Sequence, residues 1–315
     1  MYESFYKLSE KPFSLTPDPS FLFLGLKHSA GLAMLRYGLA NQASITVLTG
    51  EIGSGKTTLI RKLLDEIEDD VTVGLIANTH QSFGNLMQWI SVAFGLPVGT
   101  KSKAALYDKF AAYLIDQFSK GKRTVLIVDE AQNMDATTLE ELRLLSNINV
   151  DKSQVLQLVL VGQPELRDTL RQKELKQFVQ RIGVDYHLPA LEPEETDEYI
   201  SHRLKTAGGD PDLFQPIAKR FIHYQCGGVP RLINSMCDTA LVYGFAEQAP
   251  TIAADQVYDM VQERIRSGLF GAGLTSQPFD ATIGTLSRQV DDAMGQAVSD
   301  LDNVASEPEQ PAYLK

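Results

Sequence analysis

A glycine-rich stretch after the first predicted helix constrains the fold of this chain more than any other feature. The segment TGEIGSGKTT matches the phosphate-binding pattern G-x-x-x-x-G-K-[ST] in full, with Gly50, Gly55, Lys56 and Thr57 at its fixed positions. An apolar, β-branched run (residues 45–48) precedes it, and leucine and isoleucine at helical spacing follow it. A glycine-rich turn without a ligand is the alternative interpretation. The Lys-Thr pair and the strand–loop–helix context favour a phosphate-binding loop.

The residue types of this loop explain how it would hold a nucleoside triphosphate. Glycines let backbone N–H groups turn inward around phosphate oxygens, and the N-terminus of the next helix favours negative charge. We expect Lys56 to reach the β- and γ-phosphates and the Thr57 hydroxyl to bind Mg²⁺. The predicted nucleotide-binding residues are Gly50, Glu51, Ile52, Gly53, Ser54, Gly55, Lys56, Thr57 and Thr58.

A second motif, TVLIVDEAQ, places an acidic pair directly after an apolar strand pattern. We expect Asp129 to hold Mg²⁺ together with Thr57, and Glu130 to polarise the water that attacks the phosphate. Such a pair also occurs as plain surface charge. Its position downstream of a complete phosphate loop favours the catalytic interpretation.

Three further polar residues stand where a nucleotide hydrolase needs them. Gln163 ends the next predicted strand, where its amide would sense the γ-phosphate or orient water; a plain strand-end turn is the alternative. Arg181 precedes the last predicted strand and is a candidate arginine finger for a neighbouring subunit, with a surface salt bridge as the alternative and Arg167 as its nearest competitor. Arg231 opens a predicted helix of the lid, from which it would reach the γ-phosphate of the same chain; ordinary charge at a helix start is the alternative. A cation at this place opposes the helix dipole, which favours a specific partner.

The order of apolar patterns predicts an α/β fold. Strand patterns alternate with helical patterns, which predicts a parallel sheet covered by helices on both faces. After about residue 190 the patterns are only helical. The predicted segments are an N-terminal arm with the first helix (1–43), a phosphate-loop αβα core (44–190), a small helical lid (191–267) and an acidic, largely flexible tail (268–315). Within the tail, residues 286–301 keep helical spacing, so a short docking helix is a second interpretation.

The first 27 residues are rich in proline and aromatic residues. The prolines exclude a regular helix, and the phenylalanines need to be covered by other residues. These residues are Pro12, Pro17, Pro19, Phe5, Phe13, Phe21 and Phe23. A packed arm and an arm that reaches the nucleotide base both fit this pattern.

Composition limits the classes of partner. The 315-residue chain has a formal net charge of −11 and a pI near 5.0, so no overall positive field attracts it to nucleic acid or anionic lipid. Cys226 and Cys237 lack metal-site spacing and are expected to be buried free thiols. The sequence contains no secretion signal and no apolar run long enough to span a bilayer, so we expect a cytoplasmic protein, peripheral at the inner membrane only through a partner.

Together the motifs give the chain a family resemblance. TGEIGSGKTT, VLIVDEAQ, LVGQPEL, QRI and GGVPRLIN, with the N-terminal block YESFYKLSEKPFSLTPDPSFLFL, resemble the AAA+ ATPases of the ExeA/GspA type over residues 1–266. That family is linked to type II secretion and has relatives tied to pilus assembly and exopolysaccharide loci. The resemblance implies a five-stranded αβα core with a helical lid, hydrolysis of ATP with Mg²⁺, and homo-oligomers that share an arginine finger. It assigns the Walker, sensor and finger roles to Lys56, Thr57, Asp129, Glu130, Gln163, Arg181 and Arg231.

The function that this resemblance implies is an ATPase that drives or regulates assembly of an envelope secretion or polysaccharide-export system. Transposition ATPases resembling MuB and TniB share the core, so an ATP-dependent DNA-binding switch is the alternative; the acidic balance argues against it. A small-molecule kinase is less consistent, because the Asp129-Glu130 pair with a polar sensor and a lid suits hydrolysis better. ExeA-type members commonly continue into a membrane span and a periplasmic peptidoglycan-binding domain, neither of which this sequence predicts, so direct cell-wall binding is not expected.

Overall fold

The computed structural model describes residues 1–16, 18–77, 85–98, 102–150 and 153–267. The chain forms two compact units, which we call the core unit and the helical unit. The predicted tail (268–315), with its helical pattern, lies outside the described residues. Of the described residues, the core unit contains those within Thr16–Ala190 and Val229–Arg231, and the helical unit contains Met1–Leu15, Leu191–Gly228 and those from Leu232 to Ser267.

The described residues contain seven strands. In chain order they are β1 (Ile45–Gly50), β2 (Val71–Ile76), β3 (Arg123–Val128), β4 (Asn149–Val150), β5 (Ser153–Gln154), β6 (Gln157–Gly162) and β7 (Ile182–Leu188). Five of them form one parallel sheet with the order β2-β3-β6-β1-β7, and β4 pairs with β5 in an antiparallel ladder.

Helices separate the strands of the sheet and continue after β7 to the end of the described residues. They are α1 (Tyr2–Phe5), α2 (Leu26–Ala40), α3 (Lys56–Leu64), α4 (Leu86–Ala93), α5 (Lys103–Ser119), α6 (Ala136–Leu145), α7 (Pro164–Leu170), α8 (Lys176–Val179), α9 (Pro193–Thr206), α10 (Pro216–Cys226), α11 (Pro230–Ala246) and α12 (Ala254–Ser267). Because parallel strands need crossover connections, the helices between them cover the sheet.

Side chains of the central strands alternate between two apolar cores, one on each face of the sheet. Val125 and Ile127 of β3 belong to the core formed with α2 and α3. Leu126 and Val128 belong to the core formed with α4, α5, α6 and α7. This three-layer αβα arrangement, with a helical C-terminal part, confirms the predicted fold class.

The parallel sheet brings the functional motifs to one edge. Gly50 at the end of β1 pairs with Leu188 at the end of β7, and β6 lies on the other side of β1. Asp129 follows β3 and Gln163 follows β6. Since the carboxyl ends of parallel strands meet at the same edge, the loops after these strands converge there.

The helical unit includes the beginning of the chain. Arg203 of α9 donates to the Pro12 carbonyl across 2.5 Å, and Tyr2 donates to Asp238 of α11 across 2.5 Å. Phe13 is buried, with 1% of its surface exposed. Residues 1–15 are therefore a packed arm. The predicted N-terminal segment 1–43 is divided between the two units after Leu15. The alternative, that the arm region reaches the nucleotide base, stays a prediction.

Several element bounds differ from those that periodicity predicts. The apolar run at 155–161 predicts a strand, which in the structure begins at Gln157. The helical spacing at 83–94 predicts a helix, which begins at Leu86, where Asn85 forms a capping box with Gln88. The sequence did not predict the short elements α1, α7, α8, β4 and β5, because segments of so few residues show no measurable period. Both cysteines are buried with free thiols, as predicted.

Candidate active site

The predicted phosphate loop joins β1 to α3 at the carboxyl edge of the sheet. Gly53 and Gly55 have φ angles of +80° and +101°, which side-chain-bearing residues rarely adopt. Lys56 is the first residue of α3, and its ammonium group donates to the carbonyls of Gly50 (2.7 Å) and Glu51 (2.9 Å). The lysine therefore lies folded over the loop with which it would bind phosphate.

Two side chains from outside the loop pack against its glycines. A Cβ atom on Gly53 would lie 2.4 Å from Cβ of Arg231, and one on Gly55 would lie 3.0 Å from Nε2 of His28. The Arg231 N–H donates to the Gly53 carbonyl at 3.2 Å, and Nε2 of His28 lies 2.8 Å from the Ser54 carbonyl. Because a carbonyl only accepts, Nε2 of His28 carries the proton.

These contacts place Arg231 beside the loop, with its side chain exposed; its role toward the γ-phosphate stays a prediction. His28 is a loop contact that sequence reasoning did not assign. It lies on α2, one turn into the helix that precedes β1, and is 5% exposed. No spacing pattern links a residue on that helix to the tip of the loop, so only the folded chain reveals the contact.

Charged groups at this edge are partly withdrawn from water. Burial lowers the pKa of Lys56, an effect that the negative charges of Glu130 and Asp129 oppose. Burial raises the pKa of Asp129, which the Glu130 N–H and the Thr57 hydroxyl counteract by donating hydrogen bonds to its carboxylate. A cation and an anion are thus held close together in a poorly hydrated site, where electrostatic interactions are strong.

The predicted metal ligands lie next to each other. Thr57 Oγ1 donates to Asp129 Oδ2 across 3.1 Å, which brings the two motifs together. A hydroxyl and a carboxylate are the hard oxygen donors that Mg²⁺ prefers, and Mg²⁺ commonly completes its shell with water and substrate phosphates. In the described parts of the chain, no cluster of three or more His, Cys, Asp or Glu side chains could hold a metal. Thr57 and Asp129 therefore fit a Mg²⁺ that is held jointly with a bound triphosphate.

Glu130 adopts an unusual backbone conformation. Its φ and ψ are +55° and +34°, in the left-handed region that non-glycine residues seldom occupy. Its carboxylate Oε2 accepts hydrogen bonds from Nε2 of Gln132 at 2.6 Å and from Nε2 of Gln163 at 3.3 Å. Backbone strain of this kind is concentrated at functional sites. The structure thus brings the predicted base and the predicted sensor side chain into direct contact.

Arg181 lies away from this edge. It precedes β7, whose first residue, Ile182, pairs with Ile45 at the start of β1. The loop and Arg181 are therefore separated by the length of a six-residue strand, about 20 Å at 3.3 Å per residue. Its guanidinium donates to the carbonyl and hydroxyl of Ser146 at 3.3 and 3.1 Å. Arg181 does not reach the phosphate loop of its own chain.

Arg167, the alternative candidate for the arginine finger, lies near the phosphate loop. Burial, and then the positive charge of Arg167 on α7, lower the pKa of His187. His187 lies on β7 beside Thr49, whose hydroxyl is 3.0 Å from Nδ1 of the imidazole. Arg167 therefore lies at the carboxyl edge of the sheet, near the phosphate loop, whereas Arg181 lies at the opposite edge.

The fold and the site define a P-loop protein of the AAA+ class. Consistently, residues 39–170 match the family model described as AAA domain. The chain is 41% identical over 247 residues to the general secretion pathway protein A of Aeromonas hydrophila; the match covers 78% of this chain and 45% of that protein. The chain belongs to the AAA+ proteins of the ExeA/GspA type. It spans about half the length of the curated relative that it matches.

Solved structures share this fold. The Aeropyrum pernix ORC2 protein, in its ADPNP–ADP complexes, matches with a TM-score of 0.61 and 18% identity, covering 81% of this chain and 72% of that one. Cdc6p of Pyrobaculum aerophilum matches with a TM-score of 0.60 and 15% identity, covering 80% and 70%. At such identities the likeness establishes the fold alone. Within the described residues, no helix is both long and apolar enough to cross a membrane.

Proposed function

We propose that this chain hydrolyses ATP to ADP and phosphate in a Mg²⁺-dependent reaction. The observation that carries the proposal is the convergence of Lys56, Asp129 and Glu130 at one edge of the sheet, with Thr57 bonded to Asp129. A phosphate loop alone would support binding only. A carboxylate beside that loop, with a second carboxylate suited to the metal, supports hydrolysis.

Each residue has a defined task in this reaction. Lys56 leaves its carbonyl partners and binds the β- and γ-phosphates, while the loop N–H groups bind the remaining phosphate oxygens. Thr57 and Asp129 would hold Mg²⁺, which when bound would neutralise charge on the phosphate oxygens. Glu130 orients the attacking water and accepts its proton. The Gln163 amide and the Arg231 guanidinium detect the γ-phosphate.

The position of Arg181 supports an oligomer. An arginine finger stabilises charge in the transition state, and Arg181 is too far from the site of its own chain to do so. Its place at the opposite edge of the sheet suits donation to a neighbouring subunit. We therefore propose a homo-oligomer in which each site is completed by Arg181 of the next subunit.

The similarity to general secretion pathway protein A supports a role in the cell envelope. We propose that ATP hydrolysis drives or regulates assembly of a secretion or polysaccharide-export system, and that the protein works at the cytoplasmic side of the inner membrane through a partner. The net charge of −11 is consistent with a protein partner rather than nucleic acid.

Phosphate release by the purified chain tests the activity. Wild type should release phosphate from ATP with Mg²⁺ and stop when the metal is chelated. Release at the same rate in excess chelator, or none at any protein concentration, would contradict the proposal.

Partner capture tests the process. Glu130→Gln should hold ATP without hydrolysis and so retain partners that bind the ATP state. Capture with ATP, compared with capture by Lys56→Ala, should enrich envelope proteins of a secretion or export system. Enrichment of DNA instead, lost at raised salt, would favour the transposition-type switch.

A further inference from the structure

Gln132 forms two hydrogen bonds that join the predicted base to the predicted sensor strand. Its Nε2 donates to Oε2 of Glu130 at 2.6 Å, and its Oε1 accepts from the backbone N–H of Gln163 at 3.0 Å. These partners fix the orientation of the amide, because the carboxylate only accepts and the backbone N–H only donates. Both ends of one side chain are therefore used, and reversing the amide would lose both bonds.

The surroundings of Gln132 hold it in this place. It lies in a 3-10 turn, Ala131–Asn133, that begins directly after Glu130. A Cβ atom on Gly162 would lie 3.1 Å from Oε1 of Gln132, so the absence of a side chain at the end of β6 leaves room for the amide. The left-handed conformation of Glu130 turns the chain sharply, which allows a residue only two positions later to face its carboxylate.

Gln132 differs from Gln163 in how it depends on the nucleotide. Both amides donate to the same oxygen of Glu130, at 2.6 and 3.3 Å. A sensor amide that turns toward a γ-phosphate must give up its bond to Glu130. Gln132 is anchored to a backbone N–H instead, so its bond to Glu130 does not require the Gln163 side chain.

We propose that Gln132 is a positioning residue, which holds the Glu130 carboxylate for water activation and ties it to the end of the sensor strand. The inference rests on the proposed hydrolysis and deepens it. Gln132 touches neither nucleotide nor water in this role, and it acts through Glu130. A base displaced by even about 1 Å loses on the order of a hundredfold in rate, so the expected effect lies in kcat.

Two substitutions separate the halves of the contact. Gln132→Met keeps the length of the side chain and removes both hydrogen bonds. Gln132→Glu keeps an acceptor for the Gln163 N–H and replaces the donor to Glu130 with a carboxylate, which repels it. The matched control is Asn133→Leu, which changes an exposed amide of the same turn to an apolar group of similar size.

The measurements are kcat and KM for ATP hydrolysis, the Kd of a fluorescent ATP analogue, and Tm. For both Gln132 variants we expect kcat to fall at least about tenfold, with Kd and Tm near those of wild type and of Asn133→Leu. Wild-type kcat in either variant would overturn the inference, and so would a fall in kcat matched by weaker binding and a lower Tm. If wild type itself releases no phosphate, the proposed hydrolysis is wrong. If wild type releases phosphate and the Gln132 variants do so equally fast, only the role of Gln132 is wrong.

Discussion

The hydroxyl of Thr57 donates to the carboxylate of Asp129, 72 residues further along the chain, across 3.1 Å. The bond joins the helix after the phosphate loop to the end of β3. Asp129 is 8% exposed, so its charge depends on the few groups that contact it. In the proposed function, this pair is the point at which nucleotide binding and metal binding meet.

The first prediction concerns this hydroxyl. Thr57→Ala removes a proposed metal ligand and a donor to Asp129, so activity should fall about a hundredfold or more and need higher Mg²⁺. Thr57→Ser retains the hydroxyl and should stay within a few-fold of wild type. A titration of hydrolysis rate against Mg²⁺ checks both. Equal Mg²⁺ dependence of Thr57→Ala and wild type would exclude Thr57 as a ligand.

The second prediction concerns phosphate binding. Lys56→Ala removes the ammonium group folded over the loop, and the Kd for ATP should rise at least about a hundredfold. Lys62→Ala is the matched control. Lys62 lies on the same helix, and its ammonium group forms a surface ion pair with Glu66 at 3.3 Å. The Kd for ATP, measured by equilibrium binding to both variants, checks this prediction. Tight ATP binding by Lys56→Ala would count against the loop assignment.

The third prediction tests whether Arg181 acts on a neighbouring subunit. Arg181→Ala should bind ATP and hydrolyse it poorly, and mixing it with Lys56→Ala should partly restore activity, because one chain supplies an intact site and the other an intact arginine. Ser146→Ala removes one of the two acceptors of Arg181 within the chain while leaving the arginine. If Arg181 serves only to cap α6 through the Ser146 carbonyl, mixing should restore nothing; Ser146→Ala keeps that carbonyl and should behave like wild type.

The sequence predicted most of the core unit and the residues at its edge. The loop at Gly50–Thr57 and the acidic pair after β3 are recognisable from local sequence patterns alone. Parallel topology then brings both motifs to the same edge of the sheet. It did not predict His28 or Gln132. Their partners are Ser54 on another element and the backbone of Gln163, and such contacts leave no periodic signal in a single chain.

The sequence also did not predict where the N-terminal arm, residues 1–15, packs. Aromatic residues and prolines indicate only that residues 1–27 are irregular and need cover. Which surface covers them follows from partners such as Arg203 and Asp238, about two hundred positions away. The position of Arg181 could be predicted, but its bond to Ser146 could not.

The fourth prediction concerns the pH dependence of stability in the helical unit. Burial raises the pKa of Asp197 from its ordinary 3.8 to about 6, although Arg220 at 3.0 Å and Lys219 oppose the shift; Glu194 and Glu198 add to it. A carboxyl group with a raised folded-state pKa contributes stability that is complete below about 3.8 and is lost as the pH rises through about 6.

Wild type should therefore lose stability relative to Asp197→Asn between about pH 4 and pH 7, by at most about 3 kcal/mol. Urea unfolding followed by circular dichroism at several pH values checks this, with Asp212→Asn as the exposed control. A relative gain of wild-type stability with rising pH would mean that the ion pair with Arg220 outweighs burial.

The fifth prediction tests the proposed hydrolysis most directly, through ATP binding and phosphate release measured on the same samples of wild type, Glu130→Gln and Glu174→Gln. Glu174 is an exposed carboxylate of the core unit and serves as the control. We expect all three proteins to bind ATP with similar Kd. Phosphate release should be at least about a hundredfold slower in Glu130→Gln and unchanged in Glu174→Gln. Undiminished release by Glu130→Gln, with ATP bound normally, would contradict the assignment of Glu130 as the base.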